Sequence, residues 1–257
     1  ESLQLQRGVG TSTNGSGAFG ASINVLTDAI SKEASGEIAN SFGSYNTRKH
    51  TVKFSTGLLN DHIEIAGRLS NIASDGYIDR ASADLKSYFL QGSYVDDNTL
   101  IKAITFGGKE VTYQAWNGLE DLDKLENDRT YNTAGEYTDN NGDTQFYDNE
   151  VDDYKQDHYQ LHWNQRYDNQ WSTTLGLNYT KGQGFFEQYK DDEDFSDYGL
   201  EPLDFNGEII DETDLIRRRW LDNDFYVINA NVNYKANNLD LYFGGSFSHY
   251  DGDHFGE

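Results

Sequence analysis

Three consecutive arginines, Arg217-Arg218-Arg219, stand out in a chain of 257 residues with a net charge of −24 and 20 Lys plus Arg against 44 Asp plus Glu. Guanidinium groups match carboxylates in bidentate pairs, so such a run suits an anionic chelate. It equally suits lipopolysaccharide phosphates, or neutralisation of the nearby Asp211, Glu212 and Asp214. Trp220 follows the run directly, and Tyr113, Trp116 and Arg129 form an earlier group of the same character. Covalent chemistry is poorly provided for. There is no Cys, hence no thiol nucleophile, thiolate metal site or disulfide. The six His are scattered, and His158 and His162 read as alternation on the polar face of a strand. Asp191-Asp192-Glu193-Asp194 reads as a solvated charge run. Acidic loops suit weakly held divalent cations, but no EF-type loop is present. Neither an enzyme nor a resident metal or cofactor is expected. The acidic balance also argues against nucleic acid as a partner, because a phosphate backbone requires a basic patch.

What must position these residues is a set of strands. No apolar run is long enough for a transmembrane helix, which needs about 18 residues, and mean hydropathy is −0.79. A barrel strand needs only about 9–11 residues with every second one apolar, so low hydropathy leaves a membrane barrel open. From about Ala34 the sequence alternates with period two, and a helical period is visible only near 115–127. Strands are expected over 34–44, 48–58, 62–72, 84–95, 99–109, 157–167, 170–182, 223–235 and 239–250. The stretch 157–167 is the clearest, with Tyr159, Leu161, Trp163 and Tyr167 opposite His158, Gln160, His162, Asn164 and Arg166. After the first hairpin the connections alternate between short and long, with long ones near 111–156 and 183–222. Barrels alternate short periplasmic turns with long extracellular loops in this way. Tyr94, Trp163, Tyr167, Trp171, Tyr179 and Tyr234 recur near strand ends, where an aromatic girdle would lie. Cross-strand packing in a soluble sheet is the alternative reading of these rings. The arginine run falls where the second long connection returns to its strand.

The first thirty residues differ, being rich in Gly, Ser and Thr. Asn14-Gly15 and Ser16-Gly17 are turn pairs, and the run lacks the Lys and Ser/Thr of a phosphate-binding P-loop. Gln6-Arg7-Gly8-Val9-Gly10-Thr11-Ser12-Thr13-Asn14-Gly15, followed by Gly17-Ala18-Phe19-Gly20-Ala21-Ser22-Ile23-Asn24-Val25, resembles the end of the plug domain in TonB-dependent outer-membrane receptors. It looks most like the ferric-citrate-receptor-like branch of Bacteroidetes. Gly43-Ser44-Tyr45-Asn46-Thr47, Ser74-Asp75-Gly76-Tyr77-Ile78-Asp79-Arg80, Gly108-Lys109-Glu110 and Gly184-Phe185-Phe186-Glu187-Gln188-Tyr189 are similar to barrel segments of the same group.

The resemblance implies an all-β fold, a transmembrane antiparallel β-barrel of about 22 strands. Residues 1–30 would be the C-terminal end of the plug, and 31–257 the N-terminal part of the barrel, with about nine strands. The signal peptide, TonB box, most of the plug and over half the barrel are expected to lie outside this segment. The implied activity is outer-membrane uptake of an iron–siderophore or ferric-citrate-like chelate, energised by TonB-ExbB-ExbD. Haem, cobalamin, a glycan or a non-transporting adhesin remain alternatives. Outer-membrane lipid and lipopolysaccharide are the other expected partners. Arg7, Gly8, Gly10, Asn14, Gly15, Gly17, Gly20 and Asn24 would form the plug motif, with Arg7 against wall carboxylates such as Glu64. Tyr113, Trp116, Arg129, Arg217, Arg218, Arg219 and Trp220 would face the ligand.

Overall fold

The computed structural model describes residues 2–8, 20–26 and 30–257. Gly10, Asn14, Gly15 and Gly17 of the expected plug motif lie outside them. Strands β1 (Ser2–Arg7) and β2 (Ala21–Leu26) form an antiparallel pair. The main body contains β3 (Ser35–Phe42), β4 (Arg48–Ser55), β5 (Ile63–Ser74), β6 (Ala83–Val95) and β7 (Thr99–Tyr113). A long connection follows, carrying helix α1 (Leu122–Asn127) and the hairpin β8 (Glu136–Thr138) and β9 (Thr144–Phe146). Then come β10 (Val151–Arg166), β11 (Trp171–Asp194), the small hairpin β12 (Leu203–Phe205) and β13 (Glu208–Ile210), β14 (Glu212–Ala236) and β15 (Leu239–Gly256). Nine of these strands form one antiparallel sheet in the order β15-β14-β11-β10-β7-β6-β5-β4-β3. Apart from the two small hairpins, chain order and spatial order coincide, as in an up-and-down meander. Among the described residues the sheet is open, with β3 and β15 at its edges.

The register converts alternation in sequence into two continuous faces. Across the middle of the sheet, Ile65, Gly92, Ala103, Leu161, Leu177, Ile228 and Phe247 are successive cross-strand partners. Two residues further along each strand, Leu90, Thr105, Tyr159, Tyr179 and Tyr226 continue the same face. These apolar side chains stand open: Leu69, Phe243 and Phe247 are each about two-thirds exposed, at 64%, 66% and 64%. Rings bound the band at both ends. Tyr179 stacks between Tyr159 and Tyr226 at 5.8 and 4.9 Å, and Trp171 meets Tyr234 at 4.6 Å. From Trp171 to Tyr179, β11 rises on the order of 20 Å at ordinary residue spacing and barrel tilt. That approaches the roughly 25 Å apolar band of barrel proteins.

The opposite face is polar and bonded to itself. Gln160 donates to Asn178 at 3.0 Å, Asn178 to Thr180 at 3.1 Å, and Thr174 to Asn164 at 2.9 Å, while His158 meets Thr180 at 2.9 Å. Two of the short turns share one device. Asp96 accepts from the amides of Asn98 and Thr99, and Asp168 from those of Gln170 and Trp171, at 2.7–2.8 Å. Each Asp thus satisfies amides that the turn leaves unpaired. On β5, Gly67 leaves the space across which the Phe54 ring lies.

Four strands run well beyond their expected limits, one of them β15, which continues from the expected 239–250 to Gly256. The residues read as 157–167, 170–182 and 223–235 are parts of Val151–Arg166, Trp171–Asp194 and Glu212–Ala236. Both long connections shrink accordingly, to 114–150 and 195–211. The cause is pairing: β11 and β14 stay in register from Trp171↔Tyr234 to Lys190↔Leu215 and resume beyond a bulge at Glu193↔Thr213.

Placing a charge in the apolar band separates the two faces experimentally. Leu175→Arg or Leu177→Arg is expected to impair insertion of the barrel, at a cost of roughly 2–4 kcal/mol for mid-band Arg. Thr174→Arg or Asn178→Arg, on the polar face, is expected to be better tolerated. Heat-modifiable mobility of the full-length protein reads the difference.

Candidate functional site

Beyond the aromatic girdle, the 114–150 connection is docked on the ends of β7, β10 and β11. Tyr113, the last residue of β7, buries its ring with Ala134 and Val151, and its hydroxyl donates to the carbonyl of Tyr147 at 2.6 Å. Asn132, fully buried, donates to the carbonyls of Asp79 and Gln114 at 3.0 and 2.9 Å. Arg80 donates to the Asn132 carbonyl, and its guanidinium lies 3.7 Å from the Phe146 ring centroid. The connection between β5 and β6 therefore braces the longer one. Asp121 caps α1 by accepting from the Asp123 amide at 2.8 Å.

A single carboxylate closes this assembly. Glu187, 2% exposed, accepts from the Tyr147 hydroxyl at 2.5 Å, Asn149 Nδ2 at 2.5 Å and Arg218 Nε at 2.6 Å. Burial alone would raise its pKa, but these three donors and the Arg218 charge outweigh it and hold the carboxyl below its ordinary range. The Tyr147 phenol is pushed up to about 12 by burial and by its bond to Glu187.

The three arginines do not act as one clamp, and they do not lie in a loop. They are residues of β14, paired Gln188↔Arg217, Glu187↔Arg218 and Phe186↔Arg219. Successive side chains of a strand point to opposite faces, so Arg218 belongs to the face of Glu187 and the apolar band. Arg217 and Arg219 belong to the polar face. Arg217 donates to Gln188 Oε1 at 2.8 Å and approaches the Tyr198 hydroxyl at 3.5 Å. Arg219 lies 5.4 Å from the Phe186 ring centroid, and Trp116 meets the same ring edge-on at 6.0 Å. Trp116 is 62% exposed although its loop is anchored. With Lys190 two positions beyond Gln188 on the same face, where it pairs with Glu193 at 3.3 Å, the result is a patch of cationic and aromatic side chains on one wall. Such a patch suits an anion carrying flat or apolar groups.

The other anticipated residues are placed differently. Tyr113 is a buried brace. Arg129 is exposed in the turn after α1. Trp220 stands on the apolar-band face, stacked on Phe255, tilted against Phe185 and donating to Glu257 at 2.9 Å. Arg7 and Gly8 at the end of β1 and Gly20 before β2 are exposed, and Asn24 is within β2. Glu64 is buried on the polar face, as a wall carboxylate should be, yet its acceptor bonds come from the Ser31 amide at 3.0 Å and Ser55 Oγ at 2.7 Å rather than from Arg7. Asp191, Asp192 and Asp214 bring carboxylate oxygens within 4.8 Å of one another at the exposed bulge. Tyr198 stands in the 183–222 stretch from which ligand contacts were expected, whereas Phe186, Gln188 and Lys190 were not anticipated as contacts. Their signal was the i, i+2 spacing of 186, 188 and 190, which has meaning only once β11 is known to extend that far.

No protein-family model matches the sequence, and no curated protein matches it. Solved structures do match in fold. Over 96% of the chain it is similar to the ferric-catecholate import receptor Fiu of E. coli K12 in its closed form, with a TM-score of 0.68, 10% identity and 35% of that receptor covered. Over 98% it is similar to the ferripyoverdine receptor of the outer membrane of Pseudomonas aeruginosa, at TM-score 0.64, 13% identity and 33% of that chain. The ferric citrate transporter FecA matches at TM-score 0.54 and 13% identity, with 43% of its chain covered. At these identities the likeness is one of fold, and the chain spans about a third of the length of the receptors it matches most fully. The described sheet has the fold of part of an outer-membrane receptor barrel.

The Glu187 tether yields a test. Glu187→Ala is expected to weaken docking of the 132–150 segment by about 1–3 kcal/mol, since three donors lose their acceptor. Hydrogen exchange of the full-length protein should show faster exchange there and unchanged protection along the apolar band. Because the folded carboxyl titrates below its ordinary value of about 4.3, its contribution is complete above that value. It is lost as pH falls through the lower folded value. Protection of 132–150, corrected for the intrinsic pH dependence of amide exchange, should therefore fall in the native protein as pH drops below the ordinary carboxyl range and show a weaker acid response in the Ala variant.

Proposed function

We propose that residues 31–257 are the first part of the barrel of a TonB-dependent outer-membrane receptor and residues 1–30 the end of its plug. The transported ligand is a bulky anionic iron chelate, and TonB-ExbB-ExbD supplies the energy. The observation that carries the ligand class is the polar-face patch of Arg217, Arg219, Lys190, Phe186 and Trp116, at the loop end of a wall with a receptor-barrel fold. In a closed barrel the polar face is the lumen and the apolar band faces lipid. The patch then looks over the lumen mouth. The proteins similar in fold are receptors or transporters of ferric catecholates, ferripyoverdine and ferric citrate, which agrees with iron as cargo. The ferric-citrate-like branch of Bacteroidetes rests on the quoted residue resemblance, whereas Fiu and the ferripyoverdine receptor come from E. coli and Pseudomonas aeruginosa. Binding and passage need no covalent step, and the chemistry-bearing side chains of the patch are recognition groups.

Titration of the purified full-length receptor with ferric citrate and with a ferric catecholate, at two salt concentrations, tests the reading. Arg217→Gln and Arg219→Gln are each expected to weaken the bound chelate by about tenfold, or 1.4 kcal/mol, and to reduce its salt sensitivity. Arg218→Gln is expected to leave affinity near the native value while loosening the 132–150 segment. Unchanged affinity in all three variants would reject the patch. Failure of the native receptor to bind any iron chelate would reject the transported class.

A further inference from the structure

The outer part of β11 carries a β-bulge that changes which face a carboxylate occupies. Lys190 pairs with Leu215 and Glu193 with Thr213, so Asp191 and Asp192 together oppose Asp214. An extra residue reverses the alternation of faces beyond it. In an unbroken strand Glu193 would share the face of Glu187 and Tyr189. After the bulge it stands on the face of Gln188, Lys190 and Arg217. The inversion is pinned. Asp192 takes a left-handed φ of 47°, uncommon for a residue with a side chain. Asp214 accepts from the Asp192 amide at 3.2 Å and from the Tyr189 hydroxyl at 2.8 Å.

The bulge thereby puts one carboxylate among the cations of the patch. Of the run Asp191-Asp192-Glu193-Asp194, Glu193 alone is not exposed. Its Oε1 lies 3.3 Å from Lys190 Nζ, and its Oε2 accepts from the Tyr198 hydroxyl at 2.6 Å. The Tyr198 oxygen in turn lies 3.5 Å from Arg217 Nη1. Tyr198 is held firmly, because its turn starts at the buried Phe195, whose amide donates to the Asp211 carbonyl at 2.7 Å. The Tyr198 bond, opposed by burial and assisted by the charges of Lys190 and Arg217, keeps the Glu193 carboxyl below its ordinary range.

An anion already seated changes what can bind. A small singly charged anion that takes Lys190 exchanges one carboxylate for another and gains nothing to offset its lost freedom. A ligand with several negative groups behaves differently. Once Arg217 and Arg219 hold it, its next group is presented at high effective concentration and can displace Glu193.

We propose that Glu193 is a resident counter-anion of the patch, holding Lys190 in the unliganded protein and yielding it only to a multiply charged anion already engaged by Arg217 and Arg219. The role rests on the patch being the ligand site. Glu193 lowers affinity for every anion but lowers it most for the small ones, and selectivity is that difference.

Two measurements on the purified full-length protein test the role. Without ligand, Lys190 is acylated with an amine-reactive ester and read by peptide mass spectrometry; labelling is expected to be several-fold faster in Glu193→Gln. With ligand, the probe is whichever of ferric citrate and the ferric catecholate binds the native protein more tightly. Glu193→Gln is expected to tighten binding of that probe by about five- to tenfold. Sodium acetate should then compete at about tenfold lower concentration than in the native protein, with sodium chloride at equal ionic strength as the screening control. Because Glu193 acts through Lys190, adding Glu193→Gln to a Lys190→Gln background is expected to change neither binding nor competition. Glu201→Gln, which removes an exposed charge from the same connection, should also change neither. Tightening of equal size in the Lys190→Gln background, or from Glu201→Gln, would reduce the effect to net charge and overturn the proposal. Unchanged labelling and unchanged acetate competition in Glu193→Gln would overturn it while the patch stands. Native protein that bound neither probe, or bound one no better than an Arg217→Gln, Arg219→Gln double variant, would overturn the patch itself and the resident anion with it.

Discussion

A backbone amide or carbonyl in hydrocarbon has no water to bond with, and leaving one unpaired costs several kcal/mol. That constraint makes the continuous ladder the primary fact of this structure. Neighbouring strands pair without interruption across the apolar band, as in Trp171–Tyr179 against Tyr234–Tyr226. Once pairing is obligatory, side chains are free to differ by face. One face is apolar and ringed by Trp171, Tyr234, Tyr159 and Tyr179. The other is filled by Gln160, Asn178, Thr180 and His158 bonding laterally. Few side chains are buried in the usual sense among the described residues, and the one cluster of buried hydrophobics, Tyr113, Ala134 and Val151, lies under a loop.

Beyond the band the constraint relaxes, and different interactions take over. Both faces are then wet, so apolar alternation is no longer required, yet β11 and β14 remain paired. Docking of the long connection relies on buried polar groups instead: Asn132 satisfying two carbonyls, Arg80 over Phe146, and Glu187 accepting from three partners. A buried carboxylate with this many donors fixes geometry effectively, because removing any one partner leaves the others poorly matched. Trp116 benefits from that rigidity, since an exposed ring on an anchored loop loses little conformational freedom when it meets a ligand.

This change of physics explains what was legible in the sequence. The strands around Tyr159, Leu161 and Trp163, or Leu175 and Leu177, were readable because one side had to be apolar. The short turns at Asp96 and Asp168 fall between the strands expected over 84–95 and 99–109 and over 157–167 and 170–182, and each Asp bonds turn amides. The ends of β10, β11 and β14 were not, because Gln183 to Asp194 and Glu212 to Asp224 show no apolar period where water reaches both faces. The arginine run was conspicuous as composition, but its division between faces depended on knowing that it is strand. Glu187 looked like any other acid, because its partners come from positions 147, 149 and 218 and only the fold gathers them.

In the proposed receptor, the continued pairing of β11 and β14 has a consequence at the cell surface. From Tyr179 to Asp194 the paired ribbon would stand roughly 40 Å proud of the bilayer at ordinary rise and tilt. A protease must draw an unpaired, extended stretch of chain into its cleft, and nicking concentrates at exposed loop tips. A ribbon locked strand to strand denies it that substrate over most of its height. The surface left open to cleavage narrows to the tips, chiefly the 195–211 connection and the α1 end of 114–131, so a receptor built this way can reach far outward while exposing little cuttable chain.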